Sequence, residues 1–143
     1  MHAKIQWIDS VHFEASADSG HRIPLDGPAE AGGQNRGSRP MELVLMGLGG
    51  CASYDVVTIL TKSRQKVVGC VTELTARRAD TVPAVFESIH LHFVVTGSGL
   101  DPDKVARAIH LSADKYCSAS RMLEAGGVNI THDFEIIAQQ QAD

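Results

Sequence analysis

The run from Arg39 to Gln65 constrains the fold more than any other part of the chain. Pro40 suits a first helical turn, where a missing N–H costs nothing, and Ser38 is placed to cap it. Leu43, Val44, Leu45, Met46, Leu48, Val56, Val57, Ile59 and Leu60 fall on more than one face of that helix. A helix apolar all round belongs at the centre of a fold. Gly47, Gly49 and Gly50 work against it, at about 1 kcal/mol each relative to alanine. Three readings of those glycines stand open: close approach by another backbone, access to Cys51, or a kink at Gly49-Gly50. A central helix with a glycine face also predicts that a second copy of the chain covers it, as an obligate homodimer.

Strands flank this helix. Ala3, Ile5 and Trp7 alternate with Lys4, Gln6 and Ile8, which predicts a half-buried strand. Val11–Ala17 is a second strand, followed by the turn Asp18-Ser19-Gly20. His21–Leu25 is a short third, and Pro24 within it marks an edge position. The polar, glycine-rich segment Ala29–Gly37 is expected to be a mobile loop. Beyond the helix, Val67–Ala79 and Phe86–Thr96 read as two long strands. Asp101 caps a second helix with Pro102 at its first position. A short helical piece covers Ser120–Ala125, and Val128–Ile136 alternates as a closing strand. The order β-β-β-α-β-β-α-β gives an α+β fold, with mainly antiparallel sheets packed on buried helices. No repeat or internal linker divides the 143 residues, so one domain spanning 1–143 is expected.

Composition narrows the function. With 43% apolar and 21% charged residues, the chain has the balance of a globular protein. A net charge of -4 and a pI near 5.9 give no footprint for nucleic acid or an anionic membrane. The first residues lack the regions of a signal peptide. No apolar stretch is expected to span a bilayer, the best being interrupted by Gly47, Gly49, Gly50 and Asp55. Three cysteines without a secretion signal predict a cytoplasmic protein. None forms a C-x-x-C pair, so neither a thioredoxin-like motif nor a zinc ribbon is present, and no metal or cofactor is expected.

Cys51 and Cys117 nevertheless have matched settings. One lies in the helical run beside Gly49, Gly50 and Ala52; the other lies where the second helix ends, beside Ser118 and Ala119. Two helices can bring such thiols together, and ordinary buried cysteines are the competing reading. Asp55, four positions after Cys51, can face the same cleft, where a carboxylate would raise a thiol's pKa. Cys70, within an apolar strand, reads as a structural thiol. His90 and His92 share a strand face, but without a third ligand nearby they read as solvent-facing or hydrogen-bonded, as do His110 and His132.

Three stretches carry a family resemblance. The segment Arg39-Pro40-Met41-Glu42-Leu43-Val44-Leu45-Met46-Gly47-Leu48-Gly49-Gly50-Cys51 is similar to the proline-led cysteine helix of the OsmC/Ohr superfamily, named for osmotically inducible protein C and organic hydroperoxide resistance. Ala113–Ser120 resembles that family's second-cysteine segment, and Val128–His132 its closing strand. Tyr54-Asp55-Val56-Val57 and Val94-Val95-Thr96-Gly97 bring the chain closest to the YhfA-like branch. The resemblance implies an intertwined homodimer, with antiparallel sheets wrapped around central helices and active sites at the subunit interface. It implies that Cys51 attacks an organic hydroperoxide and becomes a sulfenic acid. Cys117 then condenses with it to a disulfide, which an external thiol reductant reopens. An OsmC-like module that binds or senses a small apolar or electrophilic molecule is the alternative.

The chain departs from the family at two places. Met41 follows Pro40 where the peroxidase members carry glutamate. Glu42 comes one residue late, a rotation of about 100°, and is expected to face elsewhere. Pro24 stands where the family's thiolate-stabilising arginine would be, with Arg22, Arg36 and Arg39 as nearby substitutes. If none of them serves Cys51, attack on peroxide is expected to be slow.

Overall fold

A computed structural model describes residues 1–139. They form two compact units, Met1–Met46 and a second that begins at Gly47.

In the first unit, β1 (Ala3–Asp9), β2 (His12–Ala17) and β3 (Arg22–Asp26) make an antiparallel sheet in that order. Phe13 is the hinge of the register, paired with Trp7 on one side and Leu25 on the other. Pro24 lies on the edge strand β3 as its missing N–H requires, and stands opposite Glu14. The expectation of a half-buried β1 fails. All seven of its residues are exposed, Trp7 at 64%, because nothing among the described residues packs over either of its faces.

The expected mobile loop is pinned instead. The Asp26 side chain is buried and accepts backbone N–H groups from Gly27, Gln34 and Arg36, at 2.9, 3.0 and 3.0 Å. The Arg36 guanidinium then reaches both carboxylate oxygens of Asp9. Led by the Arg36 N–H, those donors hold the Asp26 pKa down at about 2.

The helix α1 (Pro40–Lys62) runs unbroken through its glycines, so no break divides it at Gly49-Gly50. Its start is capped differently from expectation. Ser38 pairs with Leu25, its carbonyl accepting from the Asp26 N–H, while the Arg39 N–H donates to Glu42 Oε2 at 2.8 Å. That is the glutamate half of a capping box.

The second unit carries β4 (Lys66–Arg78), β5 (Phe86–Ser98) and β6 (Asn129–Ala138) as one sheet in that order. β4 and β5 are antiparallel, within the mainly antiparallel expectation, while β6 runs parallel to β5. A parallel neighbour needs a long crossover, supplied here by α2 (Pro102–Leu111) and α3 (Ser118–Ala125). Asp101 caps α2 as predicted, its carboxylate accepting from the Asp103 and Lys104 N–H groups.

Alternation along β5 buries Ile89, Leu91, Phe93 and Val95 on one face. Leu74 and Thr72 of β4 share that face, opposite Leu91 and Phe93, and meet α1. Gly49 packs so close that an added Cβ would lie 2.6 Å from Leu74 Cδ1. Ser53 Oγ and Thr72 Oγ1 share a hydrogen bond of 2.7 Å. The close approach at Gly49 is therefore to a strand side chain, whereas a Cβ added at Gly47 or Gly50 would meet nothing beyond the helix itself within 4 Å among the described residues. By length and composition, α1 could cross a bilayer, contrary to the sequence expectation. Its buried residues Leu48, Ala52, Val56 and Leu60, spaced by one helical turn, give it one buried face, while Val44, Met46 and Tyr54 are exposed.

Asp26→Ala is expected to lower the melting temperature at pH 7. The folded-state pKa of Asp26, about 2, lies below its ordinary 3.8, so its contribution is present above pH 3.8 and fades as pH falls toward 2. Thermal melts at several pH values should show the gap between parent and variant narrowing over that range; a gap independent of pH would exclude this role.

Candidate active site

Cys51 is placed by α1, next to Ala52 on the buried row, and is itself half-buried. Cys117 is placed by an irregularity. After Leu111 the backbone widens into a π turn, Ser112–Tyr116, in which the Cys117 N–H donates to the Ser112 carbonyl at 2.9 Å. Such turns often accompany functional sites. Buried Ser112 donates its hydroxyl to the Ala52 carbonyl at 3.1 Å, so the residue beside Cys51 is tied to the turn that carries Cys117.

Cys117 is fully buried and sits at the start of α3, its Sγ accepting from the Ser120 N–H at 3.4 Å. The two sulfurs and a carboxylate oxygen of Asp55 all lie within 4.8 Å of one another. The structure thus brings together Cys51, Cys117 and Asp55. Burial pushes the Cys117 thiol up to about 11; the Ser120 N–H pulls the other way, and the neighbouring Cys51 adds to the rise. Burial likewise raises the Asp55 carboxyl, and its Oδ2 is buried without a hydrogen-bond partner among the described residues. Asp55 also borders a cleft of about 510 Å³ lined by Tyr54, Ile59, Lys62, Leu111 and Tyr116.

The other sequence candidates have local employment. Arg22 pairs with Glu14 at 2.8 Å. Arg36 holds Asp9, and the Arg39 guanidinium donates to the Gly37 carbonyl. Glu42 is the cap described above. Cys70 lies on β4 opposite Val95, its thiol raised by burial. His90 and His92 both bond Asp133 Oδ1, at 3.0 and 2.7 Å, on the sheet face opposite Leu91. His110 pairs with Asp114 at 2.8 Å, and His132 joins them within 4.8 Å. The π turn, which sequence reasoning missed, has no residue signature; the small Ser112 among apolar helix positions is its one trace.

This strand order, with a proline-led cysteine helix and a second cysteine after the following helix, defines an OsmC-like protein. The family model described as "OsmC-like protein" matches residues 32–133, and the chain belongs to that family. It is 46% identical to Protein YhfA of Escherichia coli (strain K12) over 138 residues, covering 96% of this chain and 99% of YhfA. The crystal structure of a hypothetical protein from Aquifex aeolicus VF5 matches with a TM-score of 0.84 at 26% identity, covering 97% of each chain. An organic hydroperoxide resistance protein OsmC from Legionella pneumophila, also described as a predicted redox protein, shares the fold. Its TM-score is 0.69 at 18% identity, over 94% of this chain and 95% of that one.

Asp55→Asn is expected to stabilise the chain at pH 7. The folded-state pKa of Asp55 lies above its ordinary 3.8, so the folded form binds the proton more tightly and loses stability as pH rises above 3.8. Melting in a chelating buffer should show Asp55→Asn above the parent at neutral pH, with the gap closing as pH falls well below 3.8, where the aspartate is neutral in both states. Equal stability at pH 7 would remove the carboxylate's burial cost from the description of the site.

Proposed function

We propose that the protein is a cysteine-based redox protein of the OsmC/Ohr type, which reduces organic hydroperoxides with Cys51 and Cys117. The observation that carries this reading is the convergence of the two sulfurs within 4.8 Å, from α1 and from the turn after α2. In the first step the Cys51 thiolate attacks the terminal peroxide oxygen. The O–O bond breaks, Cys51 becomes a sulfenic acid, and the alkoxide leaves as alcohol after taking a proton. Cys117 then gives up its proton and attacks the Cys51 sulfur; hydroxide leaves as water and the disulfide closes. Two electrons have passed from the thiols to the peroxide, and an external thiol reductant returns them. A cytoplasmic location, with thiols kept reduced, fits that supply.

The apolar part of the substrate fits the cleft beside Asp55, whose walls include Ile59, Leu111 and the rings of Tyr54 and Tyr116. The Asp55 carboxylate, within 4.8 Å of the Cys117 sulfur, can accept its proton. Two observations support a second reading, a binding or thiol-sensing module with little turnover: Cys117 is held as a thiol to about pH 11, and its ionisable neighbour is an acid. Neither favours a thiolate.

One equivalent of cumene hydroperoxide, with thiols followed by mass spectrometry, separates the two. The expected result is rapid formation of a Cys51–Cys117 disulfide, abolished by Cys51→Ser, with a sulfenic acid trapped on Cys51 in Cys117→Ser. Thiols unchanged after minutes would establish the binding module, and oxidation at Cys70 would refute the site assignment.

The working form we propose is a homodimer. Trp7, Ile5, Tyr54, Val68 and Val71 are all more than half exposed on the single chain, and Gly47 and Gly50 leave one face of α1 open to a backbone. Light scattering is expected to give twice the 15.3 kDa chain mass; a well-folded monomer at low micromolar concentration would sink the proposal.

A further inference from the structure

We propose that the reduced site also binds one thiophilic divalent cation, of the zinc class, through Cys51 Sγ, Cys117 Sγ and the Asp55 carboxylate. Three donors of the right kind already converge. Zinc takes thiolate sulfur at about 2.3 Å and carboxylate oxygen at about 2.0–2.2 Å, so tetrahedral geometry sets its ligands roughly 3.3–3.8 Å apart. The observed donors all lie within 4.8 Å of one another, so side-chain rotation rather than backbone movement brings them to that spacing. Cys51 and Asp55 are one turn apart on a single rigid helix, and Cys117 comes from a second element tied to that helix through Ser112. Two soft thiolates select zinc-like ions over calcium or magnesium.

An independent observation points the same way. Asp55 Oδ2 is buried with no hydrogen-bond partner among the described residues. A carboxylate oxygen removed from water without a donor is expensive, and a bound cation satisfies it directly. The cleft beside Asp55 leaves room for a fourth ligand such as water. Binding converts two thiols and a free cation into a bis-thiolate complex and releases two protons to solvent; no oxidation state changes. The disulfide offers neither thiolate, so cation binding and disulfide formation exclude each other. The cation then reads the redox state of the thiols, and it holds them out of reach of peroxide.

The cluster of His110, Asp114 and His132 is the rival location. Its donors also lie within 4.8 Å, but His110 and Asp114 are exposed and already paired to each other at 2.8 Å. That pairing explains them without a metal.

The test uses cobalt(II) as probe, titrated into the reduced full-length protein without oxygen or peroxide, followed by zinc displacement. One equivalent per chain is expected, with a thiolate-to-cobalt charge-transfer band and the visible absorption of tetrahedral cobalt. The charge-transfer band should fall by about half or vanish in Cys117→Ser, and Asp55→Asn should weaken zinc at least tenfold, the lower end for changes beyond the direct ligands. Parent protein oxidised with diamide to the disulfide should bind none. Absence of the charge-transfer band in the reduced parent overturns the proposal. So does binding that survives Cys117→Ser and disappears in His132→Gln. Because the titration contains no oxidant, its failure leaves the hydroperoxide test standing, and the reverse holds equally.

Discussion

The buried hydrogen bond from the Ser112 hydroxyl to the Ala52 carbonyl, 3.1 Å long, fixes the geometry on which the rest of the site depends. A helical carbonyl has a second lone pair after its own ladder bond, and Ser112 uses it. The carbonyl of Ser112 meanwhile accepts from the Cys117 N–H. One residue therefore reaches forward to the neighbour of Cys51 and back to Cys117. Had α2 continued with regular α spacing, the Cys117 N–H would have met the carbonyl of Ala113, and the sulfur would point elsewhere. The wide turn rotates the second thiol toward the first. Such a bond contributes only about 1 kcal/mol net, yet leaving either buried partner unsatisfied costs about 1–3. The arrangement is strongly specified for a modest gain in stability.

The same burial sets the chemistry. Cys117 Sγ accepts an N–H at the start of α3, which favours the thiolate, but desolvation outweighs it and the thiol is held up to about 11. Asp55 suffers the same desolvation, and among the described residues no donor relieves its Oδ2. A site that keeps one desolvated thiol and one underused carboxylate within a few ångströms is destabilised by its own contents. Functional sites carry that kind of local cost more often than structural cores do.

Much of the fold was legible because its elements carry strong local signals. Pro40, Asp101-Pro102 and the alternation of Phe86–Ser98 each dictate an element by local chemistry. The direction of β6 was not legible, since alternation is identical in parallel and antiparallel strands. Only the long connection after β5 hinted at a crossover. The glycines of α1 suggested a break that burial of Leu48, Ala52, Val56 and Leu60 overrides. The loop 29–37 read as mobile because its organiser, Asp26, lies outside it. At the site, residue settings left open whether Cys51 and Cys117 meet; the family resemblance supplied that. Asp55 was visible from its spacing of one turn, whereas its unpartnered oxygen follows from packing that no local pattern encodes.

The distribution of charge then decides what kind of reactivity the thiols can have. The groups that the resemblance offered as activators have work within the first unit. Glu42 completes the cap of α1, Arg36 holds Asp9 beside the Asp26 knot, and Arg22 pairs with Glu14. Beside the sulfurs stands a carboxylate instead. A carboxylate cannot stabilise a thiolate by charge, but it can accept a proton from one thiol while the other is attacked, or share a cation with both. Chemistry here therefore turns on moving protons out of a desolvated pocket. Electrostatic activation in advance would need a positive charge from outside the trio, and the open face of α1 is where a second copy of the chain could bring one.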